Sequence, residues 1–182
     1  MGKNDIFQRI SPSEALEILK QLAKSDKKLK AKIVGLAEDL ITEIDVEGVS
    51  GEVFFALDLI DVHDLWDQAG PSRDGYISAE DMAFEMVEET LEPFHEELKR
   101  LLDLKMCPEA KLYCMGFLKG LYLYEKESES EFKDWATDIP GECFGTVLRK
   151  WAKGRNDEDK IEMRDFIAQE CPEWTHWSST EL

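Results

Sequence analysis

The stretch Pro108-Glu109-Ala110-Lys111-Leu112-Tyr113-Cys114-Met115-Gly116-Phe117-Leu118-Lys119-Gly120-Leu121-Tyr122-Leu123-Tyr124 decides the fold. Its apolar side chains, among them Leu112, Met115, Phe117, Leu118, Leu121, Tyr122 and Tyr124, run too long for a strand and too broadly for one stripe. A helix that is apolar around most of its circumference is enclosed by other helices, so this segment is expected at the centre of the molecule. Pro108 opens it, where a missing backbone donor costs nothing. Gly116 and Gly120 stand four residues apart, on one helical face, and mark where a neighbouring helix comes close.

Helical patterns extend in both directions. Ser11-Pro12-Ser13-Glu14 is a capping box, followed by Ala15, Leu16, Leu19, Leu22 and Ala23 at helical spacing. Asp26 caps a second helix with Leu29, Ile33, Leu36, Leu40, Ile41 and Ile44 on one face. Gly48 and Ser50 are read as a break, and a third helix is expected over 51–67 with Val53, Phe54, Leu57, Leu59, Ile60, Leu65 and Trp66. Ser78 caps a fourth, carrying Met82, Phe84, Met86 and Val87, which Pro93 should stop or kink near Leu91. Beyond 124, Glu125–Glu131 reads as an exposed connection. Phe132 and Trp135 mark a short amphipathic segment, helices follow near 142–153 and 157–170, and 171–182 reads as an irregular tail. No stretch alternates like a strand. The chain is therefore expected to be all-α, a single domain over 1–182. Seven or eight helices would stack as antiparallel hairpins, in a bundle or a tetratricopeptide-like array.

Composition narrows the function. The chain has 182 residues, 43% hydrophobic and 10% aromatic, enough to fill a core. With 22 basic and 40 acidic residues the net charge is −18, which repels nucleic acid and anionic membranes alike. No apolar run reaches the roughly 20 residues that span a bilayer, and the N-terminus has no signal-peptide pattern. A soluble cytoplasmic protein is expected. Cys107, Cys114, Cys143 and Cys171 form no C-x2-C pair, so they read as free thiols rather than zinc ligands.

Two motifs bear on metals. Gly70–Asp81 is like a degenerate EF-hand loop: Ser72, Asp74, Ser78 and Asp81 fall at oxygen-ligand positions around Gly75, but Gly70 stands where the first carboxylate belongs. Gly154–Asp165 is similar, with Asp159 in the glycine position. Each stretch also reads as a helix N-terminus with acids in its first turn. Glu-x-x-His occurs twice, at Glu92–His95 and Glu173–His176, the ligand pattern of di-iron and di-manganese bundles. Pro93 interrupts the first and Pro172 precedes the second. No phosphate loop, nucleophile elbow or dinucleotide fingerprint occurs, so neither a catalytic residue nor a cofactor is assigned.

Aromatic residues crowd the C-terminal third. Tyr113, Tyr122, Trp135 and Trp151 are the candidates to line a partner-binding groove, since Trp and Tyr make good anchors. Several stretches resemble an archaeal all-helical family: Ala15–Ala23, Phe55–Asp61, Asp74-Gly75-Tyr76 and Phe132–Ala136. More distantly they resemble the α-helical region that accompanies SWIM zinc fingers. The finger itself is absent, so the resemblance implies a helical-hairpin scaffold for protein contacts and no zinc role. The expected function is a non-catalytic scaffold or adaptor with a protein partner, a basic one given the charge. Metal binding through Gly70–Asp81 or the paired Glu-x-x-His motifs is the alternative.

Overall fold

A computed structural model describes residues 9–42, 44–72 and 75–182. Contacts divide the chain into two units, 1–43 and 44–182, where the sequence suggests one domain. No helix among the described residues is long and apolar enough to cross a membrane.

The first unit is a helical hairpin of α1 (Pro12–Ser25) and α2 (Lys27–Thr42). The capping box forms as expected: Ser11 Oγ accepts from the Glu14 N–H, and a Glu14 carboxylate oxygen accepts from the Ser11 N–H at 2.9 Å. Asp26 makes the turn, its carboxylate accepting from the Lys28 N–H at 2.7 Å. Within the hairpin, Ala15, Ala23, Leu29 and Ile33 are half-buried.

The second unit is built around α6 (Cys107–Glu127), which contains the broadly apolar stretch 108–124. Ala110, Cys114, Phe117, Leu118, Leu121 and Tyr124 on it are all fully buried. Around it lie α3 (Val46–Asp58), α5 (Ala79–Asp103), α7 (Ile139–Ala152) and α8 (Asp157–Glu170). The closest neighbour is α3, more than fifty residues earlier in the chain, so the arrangement is a bundle with a central helix. A tetratricopeptide-like array would pair each helix chiefly with its sequence neighbours.

Four local expectations are corrected. Gly48 and Ser50 do not break a helix but lie inside α3, which starts earlier because Asp45 caps it by accepting from the Glu47 N–H at 3.1 Å. The third helix instead ends at Asp58. A new helix, α4 (Val62–Gln68), starts when Asp61 accepts from the His63 N–H at 2.8 Å. Pro93 does not interrupt α5, because Leu91, Leu98 and Leu101 are buried on either side of it. Their packing outweighs a cost of roughly 3 kcal/mol for a proline in a helix interior. The tail is helical too: a 3-10 turn at Pro172–Trp174 leads into α9 (Thr175–Glu181).

The expected connection at 125–131 is more ordered than its polarity suggests. Helix α6 continues to Glu127, and buried Ser128 donates its hydroxyl to Asp58 Oδ1 at 2.6 Å. A 3-10 turn, Glu131–Trp135, then anchors through Phe132, which is fully buried. The β structure among the described residues is one antiparallel hairpin between α4 and α5, β1 (Gly70–Ser72) with β2 (Gly75–Ile77), Pro71 opposite Tyr76. Gly70 and Gly75 adopt φ of 113° and 141°, which a side chain would oppose.

Candidate functional site

Helix α4 is seven residues long and buries one of them, Leu65. Consecutive helical residues point about 100° apart, so Trp66 is turned outward and remains 49% exposed. Against it stands Trp135, half-buried, which the 3-10 turn holds in place because Phe132 beneath it is fixed in the core. The two indoles meet edge to face, centroids 4.7 Å apart and planes at 82°. This geometry suits the aromatic quadrupole and leaves an apolar ledge. Phe55 and Leu59 near the end of α3, and Tyr76 on β2, are also strongly exposed.

Acidic residues flank the ledge in sequence on both sides. Asp61, Asp64 and Asp67 are exposed along α4, and Glu129, Glu131 and Asp134 are exposed around the turn. The one lysine in these segments, Lys133, donates its ammonium to the backbone carbonyls of Glu125 and Ser128. The ammonium is half-buried and turned toward the backbone. The surroundings are anionic well beyond what the apolar pair itself requires.

Apart from the ledge, a concavity of about 390 Å³ lies between α5 and α7 and is lined by Glu92, His95, Glu96, Lys99, Asp103, Lys150 and Lys153 among others. The His95 ring packs on Phe117 with centroids 5.1 Å apart, and its Nδ1 is buried without a hydrogen-bond partner. Burial, helped by the nearby Lys150 ammonium, pushes His95 down to about 4 against a weaker opposing pull from Glu92. It is a neutral imidazole at pH 7.

The residues singled out in the sequence distribute as follows. Tyr113, Tyr122 and Trp151 are buried in the core, leaving Trp135 the one of the four with an accessible face. Trp66, which no motif marks, is its exposed companion. Its sequence signal is the pair Leu65-Trp66 within a short helix, where one of two adjacent apolar residues must face out. Ser78 and Asp81 are engaged with one another: the Ser78 hydroxyl accepts from the Asp81 N–H at 3.0 Å and lies 2.8 Å from the Asp81 carboxylate. They cap α5. Asp74 and the side chain of Ser72 lie outside the described residues.

In the second EF-hand-like stretch, Asn156 caps α8 by accepting from the Asp159 N–H at 2.7 Å, and Asp159 pairs with Lys111 at 2.9 Å. His95 lines the cleft between α5 and α7, whereas His176 lines a separate depression with Trp174 and Trp177. The two Glu-x-x-His motifs therefore do not share a site. Among the described residues, no group of three or more His, Cys, Asp or Glu side chains is placed to hold a metal ion. All four cysteines are unpaired thiols, and burial pushes Cys143 up to about 11 and Cys171 up to about 12.

Comparison of the chain with protein-family models, with curated proteins and with solved structures finds no match.

Proposed function

We propose that the chain is a helical scaffold that binds a basic protein partner through the Trp66–Trp135 ledge. The observation that carries this reading is an edge-to-face tryptophan pair, Trp66 exposed and Trp135 half-buried, whose flanking segments present six exposed carboxylates against one lysine, itself bonded to backbone carbonyls. An apolar anchor inside a charged rim is the anatomy of a protein-binding surface, with the aromatic pair supplying affinity and the rim supplying orientation and speed of encounter. The second unit carries fourteen basic and thirty-three acidic residues, a net −19, so its field draws a cationic partner from a distance. The partner segment that fits combines aliphatic or aromatic side chains with Lys or Arg at helical spacing.

Calorimetric titration with a short amphipathic Leu/Lys helical peptide tests the reading. The expected dissociation constant is on the order of 10 μM at physiological salt, weakened about 30-fold by Trp66→Ala, as for an interface hot spot. Trp66→Ala changes a side chain that is 49% exposed, and a thermal melt of the variant checks that the fold is kept. Binding that the variant does not alter, or that vanishes with moderate salt, would place the interaction elsewhere or reduce it to non-specific charge.

A further inference from the structure

The depression lined by His176, Trp174 and Trp177 has a chemistry of its own. It measures about 390 Å³, a usual size for a small-ligand site, and lies between the last turn of α6, the start of α7 and α9. Its acidic lining residues are Glu125, Asp138 and Glu142, and no lysine or arginine among the described residues lines it. None of the three carboxylates has an ion pair or a side-chain hydrogen bond among the described residues. The basic neighbours are engaged elsewhere. Lys126 pairs with Glu173, Arg149 pairs with Glu181, and Lys133 bonds the backbone carbonyl of Glu125 rather than its carboxylate.

Two of these acids have an ordinary structural place. Asp138 and Glu142 stand at the start of α7, where the helix dipole favours negative charge. Glu125 does not: it lies in the last turn of α6, where the dipole opposes it. Its Oε2 is also sealed from water without a hydrogen-bond partner. A buried carboxylate oxygen is costly in that state and is normally matched by a cation or a donor.

The aromatic walls indicate which cation. Trp174 is held edge to face by Tyr122 and Phe144, with centroids 5.4 and 5.0 Å away, and Trp177 lies against the bare backbone of Gly145. One turn earlier, Gly141 also lines the depression; a Cβ there would meet Trp174 at 4.0 Å, an ordinary contact, so a larger side chain at 141 would enter the space. Indole is the ring that attracts cations best, and aromatic walls are how quaternary ammonium groups are recognised. A metal ion needs convergent oxygen, nitrogen or sulfur ligands instead, and no three such side chains are so placed among the described residues.

We propose that this depression binds an alkylammonium cation, its methyl groups against Trp174 and Trp177 and its charge answered by Glu125, Asp138 and Glu142. The group belongs either to a free methylated amine or to a methylated lysine side chain, which present the same chemistry. The site shares no residue with the Trp66–Trp135 ledge and does not depend on it.

Tetramethylammonium chloride is the probe, added to the full chain while the indole N–H signals are followed by NMR. Those of Trp174 and Trp177 should shift saturably, with a dissociation constant below about 1 mM. Sodium chloride at equal concentration should not shift them, and Trp66→Ala should not alter the response. Tert-butanol, of similar size but uncharged, should act at least about 10-fold more weakly. Glu125→Gln removes charge and keeps shape, whereas Gly141→Leu fills the space with a better helix former. Each variant should melt as the parent does and bind at least about 10-fold more weakly. A neutral peptide with one trimethyl-lysine separates the two sources. Binding at least about 10-fold tighter than the free ion assigns the site to a protein side chain, and equal or weaker binding assigns it to a free amine. No saturable shift up to about 10 mM, an equal response to tert-butanol, or unchanged binding in either folded variant overturns the proposal.

Discussion

A Cβ added to Gly120 would stand 2.6 Å from the Cβ of Val53, so α6 and α3 meet closer than any larger residue permits. Backbone lies equally near: the Ser50 carbonyl oxygen is 2.6 Å from the same point, and one turn earlier a Cβ added to Gly116 would stand 2.8 Å from the Val46 carbonyl oxygen. Alanine is the better helix former by about 1 kcal/mol, so Gly120→Ala on an open helix would stabilise. Here the added methyl must push two helices apart, a cost of about 1–3 kcal/mol. Urea unfolding of Gly120→Ala should therefore show a lower midpoint. An unchanged or raised midpoint would mean that α3 and α6 do not touch at this glycine.

The C-terminal helix is held by a similar notch. The place of a Cβ on Gly145 is 2.5 Å from the Trp177 ring, and Arg149 grips Glu181 through two hydrogen bonds of 2.7 and 2.8 Å. Trp174 adds edge-to-face contacts with Tyr122 and Phe144. Trp177→Ala should cost about 2 kcal/mol, less than a fully buried aromatic because the ring is half-exposed. A thermal melt reads this directly, and a variant as stable as the parent would detach α9 from α7.

His95 makes a prediction about pH. Its proton binds more weakly in the folded chain, at about 4, than in the unfolded one near 6.5. Its contribution to stability is thus present above about pH 6.5 and is lost as pH falls toward 4. With three histidines in the chain, proton NMR can follow each. The His95 ring should titrate below pH 5, and His95→Gln should flatten the decline of the melting temperature between pH 6.5 and 4.5. A His95 ring titrating near 6.5 would mean the imidazole is open to water.

Calcium should do little. Ser78 and Asp81 satisfy each other at the start of α5, and Gly70 offers no carboxylate. Calcium at about 1 mM, a hundredfold above a 10 μM dissociation constant, would add roughly 2.7 kcal/mol if a site of that strength existed. The expected melting shift is under 1 °C; a rise of several degrees would restore the Gly70–Asp81 loop as a metal site.

Much of this architecture is legible in the chain. The breadth of the apolar set over 108–124 places α6 at the centre, and the spacing of Gly116 and Gly120 marks the closest approach. The same logic applied to Gly48 and Ser50 fails. Small residues signal both breaks and close packing, and only the partner helix decides between them. Leu59 reads as core by its neighbours Val53 and Leu57, yet it is 80% exposed because Asp61 caps a new helix and turns the chain. Tyr113, Tyr122 and Trp151 are chemically apt binding anchors, but α6 and α7 carry them inward. Trp66 is overlooked because a broad helical face hides which of two adjacent apolar residues points out. The charge division between 1–43 and 44–182 needs only addition, but its meaning depends on where one unit ends.

Hydrogen exchange of the full chain, with and without the amphipathic Leu/Lys peptide, tests the scaffold reading most directly. The ledge lies on short elements whose amides open readily, so a bound partner should slow their exchange. Protection concentrated in 62–68 and 131–135, and lost in Trp66→Ala, is the predicted result. Protection confined to other elements, such as α5 and α7 beside His95, or none at saturating peptide, would contradict it.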